Sequence, residues 1–184
     1  MMLRYRQHRA TEAAAHLLRL RGGRMSYLKL LKLLYLADRQ ALLMHGRQIT
    51  YDRFVSMDHG PVLSQTYNLL VAEESPDQPQ SYWRRYISEP EQYEVRLLTE
   101  TPPDNHLSVA QIAILDEVFA QFGALSRWKL VDFVHTLPEW EDPHGSSIPI
   151  ALRDVLRAGG MEEEDVEAVE EALLAEDALA ELLD

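Results

Sequence analysis

Asp38 and His59 are the one pair of side chains in this sequence whose types and placement could support acid–base chemistry. At about 100° per residue, Asp38 falls on the apolar side of a predicted helix. A buried carboxylate is costly unless it is paired or hydrogen-bonded. We therefore expect Asp38 to contact His59, Arg53 or the free N–H groups near Pro61. No nucleophile accompanies the pair, so a structural aspartate is favoured over a catalytic one, and we do not expect an enzyme.

Metal and cofactor chemistry has no support in the sequence. None of the seven histidines belongs to a His-x-x-x-His pair with an acidic residue between its members. The chain has no cysteine, which excludes disulfide scaffolds, zinc ribbons and thiol nucleophiles. It also lacks a Gly-x-Ser-x-Gly elbow, a phosphate loop and a dinucleotide fingerprint. We therefore predict no metal site and no cofactor.

Charge is distributed unevenly along the 184 residues, whose net charge is −12. Residues 1–47 carry a net charge of +8, residues 48–161 carry −9, and residues 162–184 contain eleven acids and no base. The basic segment contains six arginines near the N-terminus: Arg4, Arg6, Arg9, Arg19, Arg21 and Arg24. These arginines could form a solvated helix face, meet an acidic protein partner, or hold nucleic-acid phosphates.

Residues 161–184 are predicted to form an acidic amphipathic C-terminal helix. Acids at positions 162–165 complement the dipole at a helix start, and Val166, Val169, Leu173, Leu179 and Leu182 approximate one apolar stripe. Three alternatives stay open: the helix docks on the body, pairs with another protein, or remains solvated. We also hypothesise that it covers the basic N-terminal surface when no partner is bound.

Local signals predict a mainly α fold, a compact helical bundle with a small β-hairpin element. Apolar periodicity and end signals place helices at 3–20, 27–44, 61 onward, 108–122, 126–137 and 150–158. Alternating residues predict a hairpin with arms at 82–87 and 93–98, and an extended segment at 48–57. The predicted division is a helical domain at residues 1–160 and the tail helix at 161–184. No apolar run reaches membrane-span length and no signal pattern is present, so we expect a soluble cytoplasmic protein.

Two blocks of residues carry a resemblance to a known family. The first block is Lys29-Leu30-Leu31-Lys32-Leu33-Leu34-Tyr35-Leu36-Ala37-Asp38, then Gly46, Ile49-Thr50, Phe54 and His59-Gly60-Pro61-Val62. The second block is Leu107-Ser108, Ile114-Leu115-Asp116, Phe122-Gly123, Ser126, Leu130-Val131, His135 and Pro138-Glu139-Trp140. Together they resemble the Panacea domain of SocA-like antitoxins over roughly residues 10–155. The chain departs from the usual pattern at Leu31, where an asparagine is typical.

This resemblance implies an α-rich binding protein, phage- or prophage-associated, that neutralises a cognate protein toxin by direct contact. One alternative it implies is a proteolytic adaptor, which delivers the toxin to an intracellular AAA+ protease. A further alternative is a nucleic-acid-associated regulator that uses the basic N-terminal helix, although nucleic acid is not the expected partner. No membrane partner is expected, and self-association stays open.

The resemblance and the composition together nominate partner-binding residues. The polar or aromatic positions of the first block and the helix after it are Lys32, Tyr35, Asp38, His59 and Tyr67. All could instead have structural roles, as Gly60 and Pro61 are expected to have: Gly60 permits a turn with positive φ and Pro61 begins a helix.

Large aromatic side chains are the second group of candidates, because aromatic residues and arginine dominate interface hot spots. They are Trp83, Tyr86, Trp128 and Trp140. Each could equally belong to the core.

Overall fold

The structure, a computed structural model, describes residues 3–73, 75, 77 and 79–183. Its helices are α1 (Gln7–Leu20), α2 (Tyr27–His45), α3 (Ser64–Val71), α4 (Tyr82–Tyr86), α5 (Val109–Phe122), α6 (Arg127–Val134), α7 (Leu152–Ala158) and α8 (Glu163–Leu183). Its strands are β1 (Arg24–Ser26), β2 (Phe54–Met57), β3 (Gly60–Leu63), β4 (Glu94–Arg96) and β5 (Ile148–Ile150). The prediction of a mainly α fold is confirmed, and these strands add two small antiparallel sheets.

Helix α2 lies at the centre of the core because its side chains are apolar almost all round. Its leucines from Leu30 to Leu36 are buried, and the helix packs against α1, α5, α6 and β3. It ends at Gly46, which adopts φ 64° and donates its N–H to the carbonyl oxygen of Leu42 at 2.9 Å. Glycine takes this left-handed conformation without strain. The helix therefore matches its predicted bounds closely.

The starts of α5 and α6 follow the predicted serine caps. Ser108 and Gln111 form a reciprocal capping box at the start of α5. The Ser126 hydroxyl accepts the N–H of Lys129 at 3.2 Å at the start of α6. Helix α6 ends at Val134, three residues before the predicted end. These caps fix the direction in which α6 leaves the loop that precedes it.

The predicted hairpin is wrong in its first arm. Residues Tyr82–Tyr86 form helix α4, capped by Ser81, and β4 in the second arm pairs with β1. The predicted pairing of the two arms is kept only at their ends, where Ile87 forms an antiparallel bridge with Leu97. The buried Arg84 guanidinium holds α4 in place by donating to the carbonyl oxygens of Leu70, Ala72 and Ser88. Two of these acceptors, Leu70 and Ala72, lie 14 and 12 residues before Arg84, so the local alternation of residue types does not contain these contacts.

A hairpin does form at β2 and β3, where the sequence predicts the start of a helix. Gly60–Leu63 pairs antiparallel with Phe54–Met57, and β5 pairs with the other side of β2. Helix α3 begins only at Ser64. Pro61 is tolerated in β3 because that strand lies at the edge of its sheet, where a missing N–H leaves no ladder bond unmade. The prediction of a helix that begins at Pro61 is therefore wrong, whereas the extended segment before it is confirmed by β2.

Helix α8 packs on the body, the first of the three alternatives for the acidic segment. Val166 and Leu173 are fully buried, and α8 contacts α7. Leu179 and Leu182 of the predicted apolar stripe are exposed, so the prediction of one buried stripe is wrong towards the end of the helix. Two arginines of α7 form ion pairs with this helix, Arg153 with Glu170 and Arg157 with Glu163. Whether residues 1–160 fold independently of α8 stays a prediction.

The second half of α8 meets part of the basic N-terminal surface. Asp177 Oδ1 lies 3.8 Å from Arg6 Nη2. Glu176 accepts the Tyr51 hydroxyl at 2.7 Å and lies 3.1 Å from Arg47 Nε. The hypothesis that a partner competes for this contact stays a prediction.

Within the described residues, no single helix is long and apolar enough to cross a membrane. Helices α5 and α6 reach the required length and hydropathy only as a pair, and the chain bends by 106° between them.

Candidate partner-binding groove

A groove of about 590 Å³ opens where five elements meet: the start of α2, the β2–β3 turn, α3, the approach to β4 and the start of α6. Its lining residues are Ser26, Tyr27, Leu28, Leu31, Lys32, Met57, Asp58, His59, Val62, Tyr67, Tyr93, Arg127, Trp128, Gly145 and Ser146. We call this feature the groove. Apolar side chains form much of its lining, and several aromatic rings surround it, so its chemistry suits a protein segment better than a small polar metabolite.

Lys32 is a fully buried cation in the lining of the groove. Its ammonium donates to the carbonyl oxygen of Pro61 at 2.9 Å. Among the described residues, no carboxylate lies within ion-pair distance of it. Burial lowers the pKa of Lys32 to about 7 because the charged form loses its hydration. The charged form of Lys32 is therefore costly in the free protein, because no counter-ion among the described residues offsets its lost hydration.

Gly60 brings β3 close to α6 beside Lys32. Its φ is 98°, as the sequence predicts for a turn at this position. A Cβ atom there would lie 2.5 Å from Val134 Cγ2 and 3.4 Å from Lys32 Nζ. A larger residue would therefore both strain the backbone and push α6 away from the hairpin.

Exposed aromatic side chains stand at the mouth of the groove. Trp128 is 52% exposed and Tyr93 is 68% exposed. The His59 ring meets the Trp128 ring edge-on at 5.7 Å. The Arg127 guanidinium lies 5.2 Å from the Trp128 ring and 6.0 Å from the Tyr93 ring. Cation–π contacts of this kind hold an arginine and its aromatic neighbours in a preformed arrangement.

Four of the predicted partner-binding residues meet in this groove. They are Lys32, His59, Tyr67 and Trp128. Tyr67 is only partly buried, and His59 is exposed on the β2–β3 turn. The remaining five predicted residues, Tyr35, Asp38, Trp83, Tyr86 and Trp140, do not line the groove and have contacts inside the fold.

Asp38 is fully buried on α2, as predicted, and its contacts are structural. Oδ1 accepts the backbone N–H groups of Ile49 at 2.7 Å and Thr50 at 3.0 Å, and Oδ2 accepts the Thr50 hydroxyl at 2.5 Å. Burial raises the pKa of Asp38 to about 7, although the donors from Thr50 and Ile49 oppose the shift. The carboxylate therefore fastens the loop after α2 to the helix itself.

The partners predicted for Asp38 are wrong. His59 lies in the groove against Trp128, and the carbonyl beside it, that of Pro61, accepts from Lys32. The chain leaves α2 at Gly46, whose φ is 64°, and then runs back along the helix, so that the N–H groups of Ile49 and Thr50 reach Asp38. An acid–base pair of Asp38 with His59 has no geometric basis.

Tyr35 and Trp83 lie in the core. The Tyr35 hydroxyl donates to Glu139 at 2.8 Å, and Arg39 pairs with the same carboxylate at 2.6 Å. Trp83 is fully buried in α4. Neither side chain reaches the surface that a partner would touch.

Trp140 and Tyr86 are partly buried and lie outside the groove lining. The Trp140 ring stacks on His135 at 4.0 Å, and its indole N–H donates to the carbonyl oxygen of Met57 at 3.1 Å. Tyr86 packs against Tyr82 at 5.1 Å. Trp140 supports the β2–β3 hairpin from behind, which positions the groove without entering it.

Three important groove residues escaped the sequence prediction: Tyr27, Tyr93 and Arg127. Arg127 carried a usable signal, since it follows the Ser126 cap directly and first-turn positions often stay exposed. Tyr93 has φ 65°, which no local pattern indicates. Among the described residues, no group of three His, Asp or Glu side chains could hold a metal ion.

A family model described as antitoxin SocA-like, Panacea domain, matches residues 30–141. The chain belongs to this family. Neither a curated protein nor a solved structure matches the chain. The match confirms the resemblance of the two sequence blocks, and an antitoxin-like role follows from it in general terms.

The Panacea match covers most of the groove and none of α8. It begins within α2 just before Lys32 and ends just after Trp140, so it contains the β2–β3 turn, Tyr93 and the start of α6. The first turn of α2 and the loop at Gly145 complete the lining from outside the matched range. Helix α8 is therefore an addition to the matched part of this Panacea protein.

Proposed function

We propose that this chain is an antitoxin that neutralises a cognate protein toxin by binding a segment of it in the groove. Membership of the Panacea family supports the general role. The groove supports the binding site, because it combines an apolar lining with aromatic side chains that the fold leaves exposed. Neutralisation then follows if the bound segment belongs to the toxin's working surface.

The observation that carries this proposal is the cluster of Trp128, Arg127 and Tyr93 at the mouth of the groove. Tryptophan, tyrosine and arginine are the residue types that contribute most to protein–protein binding. Here all three types occur together, two of them more than half exposed, beside a concave apolar surface. A complex of ordinary size would bury about 1,600 Å² in total, so the groove would form its centre.

We further propose that the protein acts without catalysis, in the cytoplasm. The groove contains an amine, an imidazole and hydroxyl groups, but no pair of them is joined by a hydrogen bond that would activate a nucleophile. Delivery of the toxin to a protease is a second possible outcome of the same binding event, and the experiment below separates it.

The test is co-expression with the protein encoded by the neighbouring reading frame. Expression of that protein alone should stop growth, and this chain should restore growth and co-purify with it. Trp128→Ala should weaken the complex by about thirtyfold or more, the loss expected for a hot-spot residue. The matched control is Val109→Ala, which removes an apolar side chain that is 87% exposed on α5 and outside the groove.

The outcomes of this test separate direct neutralisation from delivery to a protease, and the groove from other binding sites. Restored growth in cells that lack AAA+ proteases supports direct neutralisation, whereas restoration that requires a protease supports an adaptor. Equal effects of Trp128→Ala and Val109→Ala would contradict the groove as the binding site. A harmless neighbouring protein that does not bind would contradict the proposed function for that pair.

A further inference from the structure

The cations at the groove are left without counter-ions, in contrast to those at the α8 interface. Lys32 has one carbonyl acceptor, and its ammonium has three N–H donors. Arg127 lies over aromatic rings and, within the described residues, has no carboxylate within 4 Å. Donor capacity at the groove therefore exceeds what the fold uses.

The start of α2 adds further donor capacity at the same place. Ser26 precedes the first turn of α2, yet its hydroxyl does not cap that turn. The Ser26 Oγ atom is buried and, within the described part of the chain, has no hydrogen-bond partner. Ser26, Tyr27 and Leu28 all line the groove, so the positive end of the α2 dipole adjoins it.

The one acidic residue in the lining does not neutralise these donors. Asp58 lies on the β2–β3 turn, and its Oδ1 accepts the N–H of Gly145 at 2.8 Å. This hydrogen bond ties the loop at Gly145 to the hairpin. The acid therefore shapes the groove, and neither Lys32 nor Arg127 forms an ion pair with it.

We propose that the groove recognises an acidic side chain, glutamate or aspartate, within an apolar segment of the toxin, and that Lys32, Ser26 and Arg127 bind its carboxylate. This inference rests on the proposed function for the identity of the partner. Leu28, Leu31 and Val62 supply apolar walls for the neighbouring side chains. The rings of Trp128 and Tyr93 cover the segment from the mouth of the groove.

The surroundings of Lys32 make this carboxylate a specific requirement. In a buried site, a hydrogen bond between charged groups is stronger than it is in water. Burial lowers the pKa of Lys32, and a bound carboxylate would raise it again because opposite charges favour each other's charged forms. A neutral isostere would leave the ammonium as it is in the free protein, so a Glu-to-Gln change in the ligand should lose affinity.

The experiment measures binding of three short peptides to the full chain by NMR, following the Trp128 indole N–H and the Lys32 side chain. The probes are Ac-Leu-Glu-Trp-NH2, Ac-Leu-Gln-Trp-NH2 and Ac-Leu-Gln-Trp-OH. The first should bind about tenfold more tightly than the second, as expected for one hydrogen bond to a charged group. The third peptide carries its only carboxylate at the chain end, and it should not regain the affinity of the first.

Lys32→Met should remove the preference for glutamate over glutamine. The matched control is Lys29→Met, one turn earlier on α2, because Lys29 is also buried and donates to carbonyl oxygens, those of Gly123 and Leu125, but does not line the groove. A second pair does not depend on a buried residue: Arg127→Ala should reduce the preference, and the exposed Lys129→Ala on the same helix should not.

Four results would overturn the inference: equal binding of the glutamate and glutamine peptides, no binding of either, an unchanged preference in Lys32→Met, or tightest binding of the peptide with the free C-terminus. Competition with the glutamate peptide by nucleic acid, or by self-association of the chain at raised protein concentration, would also overturn it. Because no toxin is used, a carboxylate preference without growth rescue would contradict the proposed function alone. Growth rescue without the preference would contradict this inference alone.

Discussion

The groove and the α8 interface use the same kinds of residue in opposite ways. At α8, arginine side chains meet glutamate and aspartate, and apolar side chains such as Val166 and Leu173 are buried. At the groove, a lysine and an arginine have no carboxylate partner among the described residues, and Trp128 and Tyr93 are exposed. The fold therefore pairs its charges and buries its apolar side chains at α8, whereas it leaves both unpaired or exposed at the groove, as the binding role proposed for the groove requires.

Glycine substitutions give the largest contrast between the two regions. Gly60→Ala places a Cβ atom against Val134 at a φ of 98°, so strain and overpacking should together reduce the free energy of unfolding by about 2–6 kcal/mol. Gly160, just before α8, has φ 87° but no atom within 4 Å of its hypothetical Cβ. Gly160→Ala should therefore show only the strain, about 1–3 kcal/mol. Urea unfolding of both variants measures the difference. Equal losses of unfolding free energy would show that the close approach of β3 and α6 does not contribute to stability.

Neighbouring leucines on α8 test whether this helix is part of the folded body. Leu173 is fully buried and Leu174 is 50% exposed. Leu173→Ala should reduce the free energy of unfolding by about 2–5 kcal/mol, and Leu174→Ala should change it by much less. Thermal unfolding of the two variants provides the comparison. If both were neutral, α8 would not be docked in solution, and the contrast with the groove would disappear.

The buried charge of Lys32 gives a pH-dependent test at the groove. Its pKa in the folded chain is about 7, below the ordinary value of 10.5, so between these values the unfolded chain holds a proton that the folded chain lacks. Stability should therefore rise with pH across this window, by about 1.4 kcal/mol per pH unit. Lys32→Met removes the dependence, so its gain over the wild type should be greatest below pH 7 and should shrink towards pH 10.

Urea titrations at pH 6, 8 and 9.5 measure this trend, and Lys29→Met provides the reference for a second buried lysine. A gain that does not change with pH would mean that Lys32 keeps its charge through a partner within the fold. In that case, the charged side chains at the groove would be paired like those at the α8 interface, and the contrast between the two regions would not hold.

Surface ion pairs at α8 should give the smallest effect. Arg47 is largely exposed and lies 3.1 Å from Glu176. Arg47→Ala should cost about 0–1 kcal/mol and become neutral at high salt. Double-mutant cycles with Glu176→Gln at low and high salt measure the pair. A larger, salt-insensitive loss would mean that ion pairing, and not apolar burial, holds α8 to the body.

Much of the fold could be predicted because its signals are local. The apolar pattern of α2, the glycine at its end and the serine caps of α5 and α6 all concern residues within one or two turns of each other. The predictions at α4 and at the β2–β3 hairpin were wrong because these elements depend on contacts that local patterns do not contain. Arg84 in α4 is held in part by the carbonyl groups of Leu70 and Ala72, which lie 14 and 12 residues earlier in the chain. Pro61 is accepted in a strand only because β3 lies at a sheet edge.

The site could be predicted only in part, because the residue types are visible in the sequence but their arrangement in space is not. Family resemblance nominated Lys32, His59 and Tyr67, and aromatic composition nominated Trp128, but nothing in the sequence showed that these four share one cavity while Tyr35 and Trp83 lie in the core. The partners of Asp38 were missed because the chain turns at Gly46 and runs back along α2, which brings the N–H of Ile49 to a carboxylate eleven residues earlier. Grouping of residues into a site depends on such turns, which periodicity does not describe.

Helix α2 also acts as a spacer with a defined length. Its first turn lines the groove, and Gly46 at its other end lies against Val169 of α8. Nineteen helical residues at 1.5 Å each separate these ends by about 28 Å. A label, tether or affinity tag attached to α8 near Val169 should therefore lie about one length of α2 away from a segment bound in the groove. Immobilisation through that helix should leave the groove open for binding measurements.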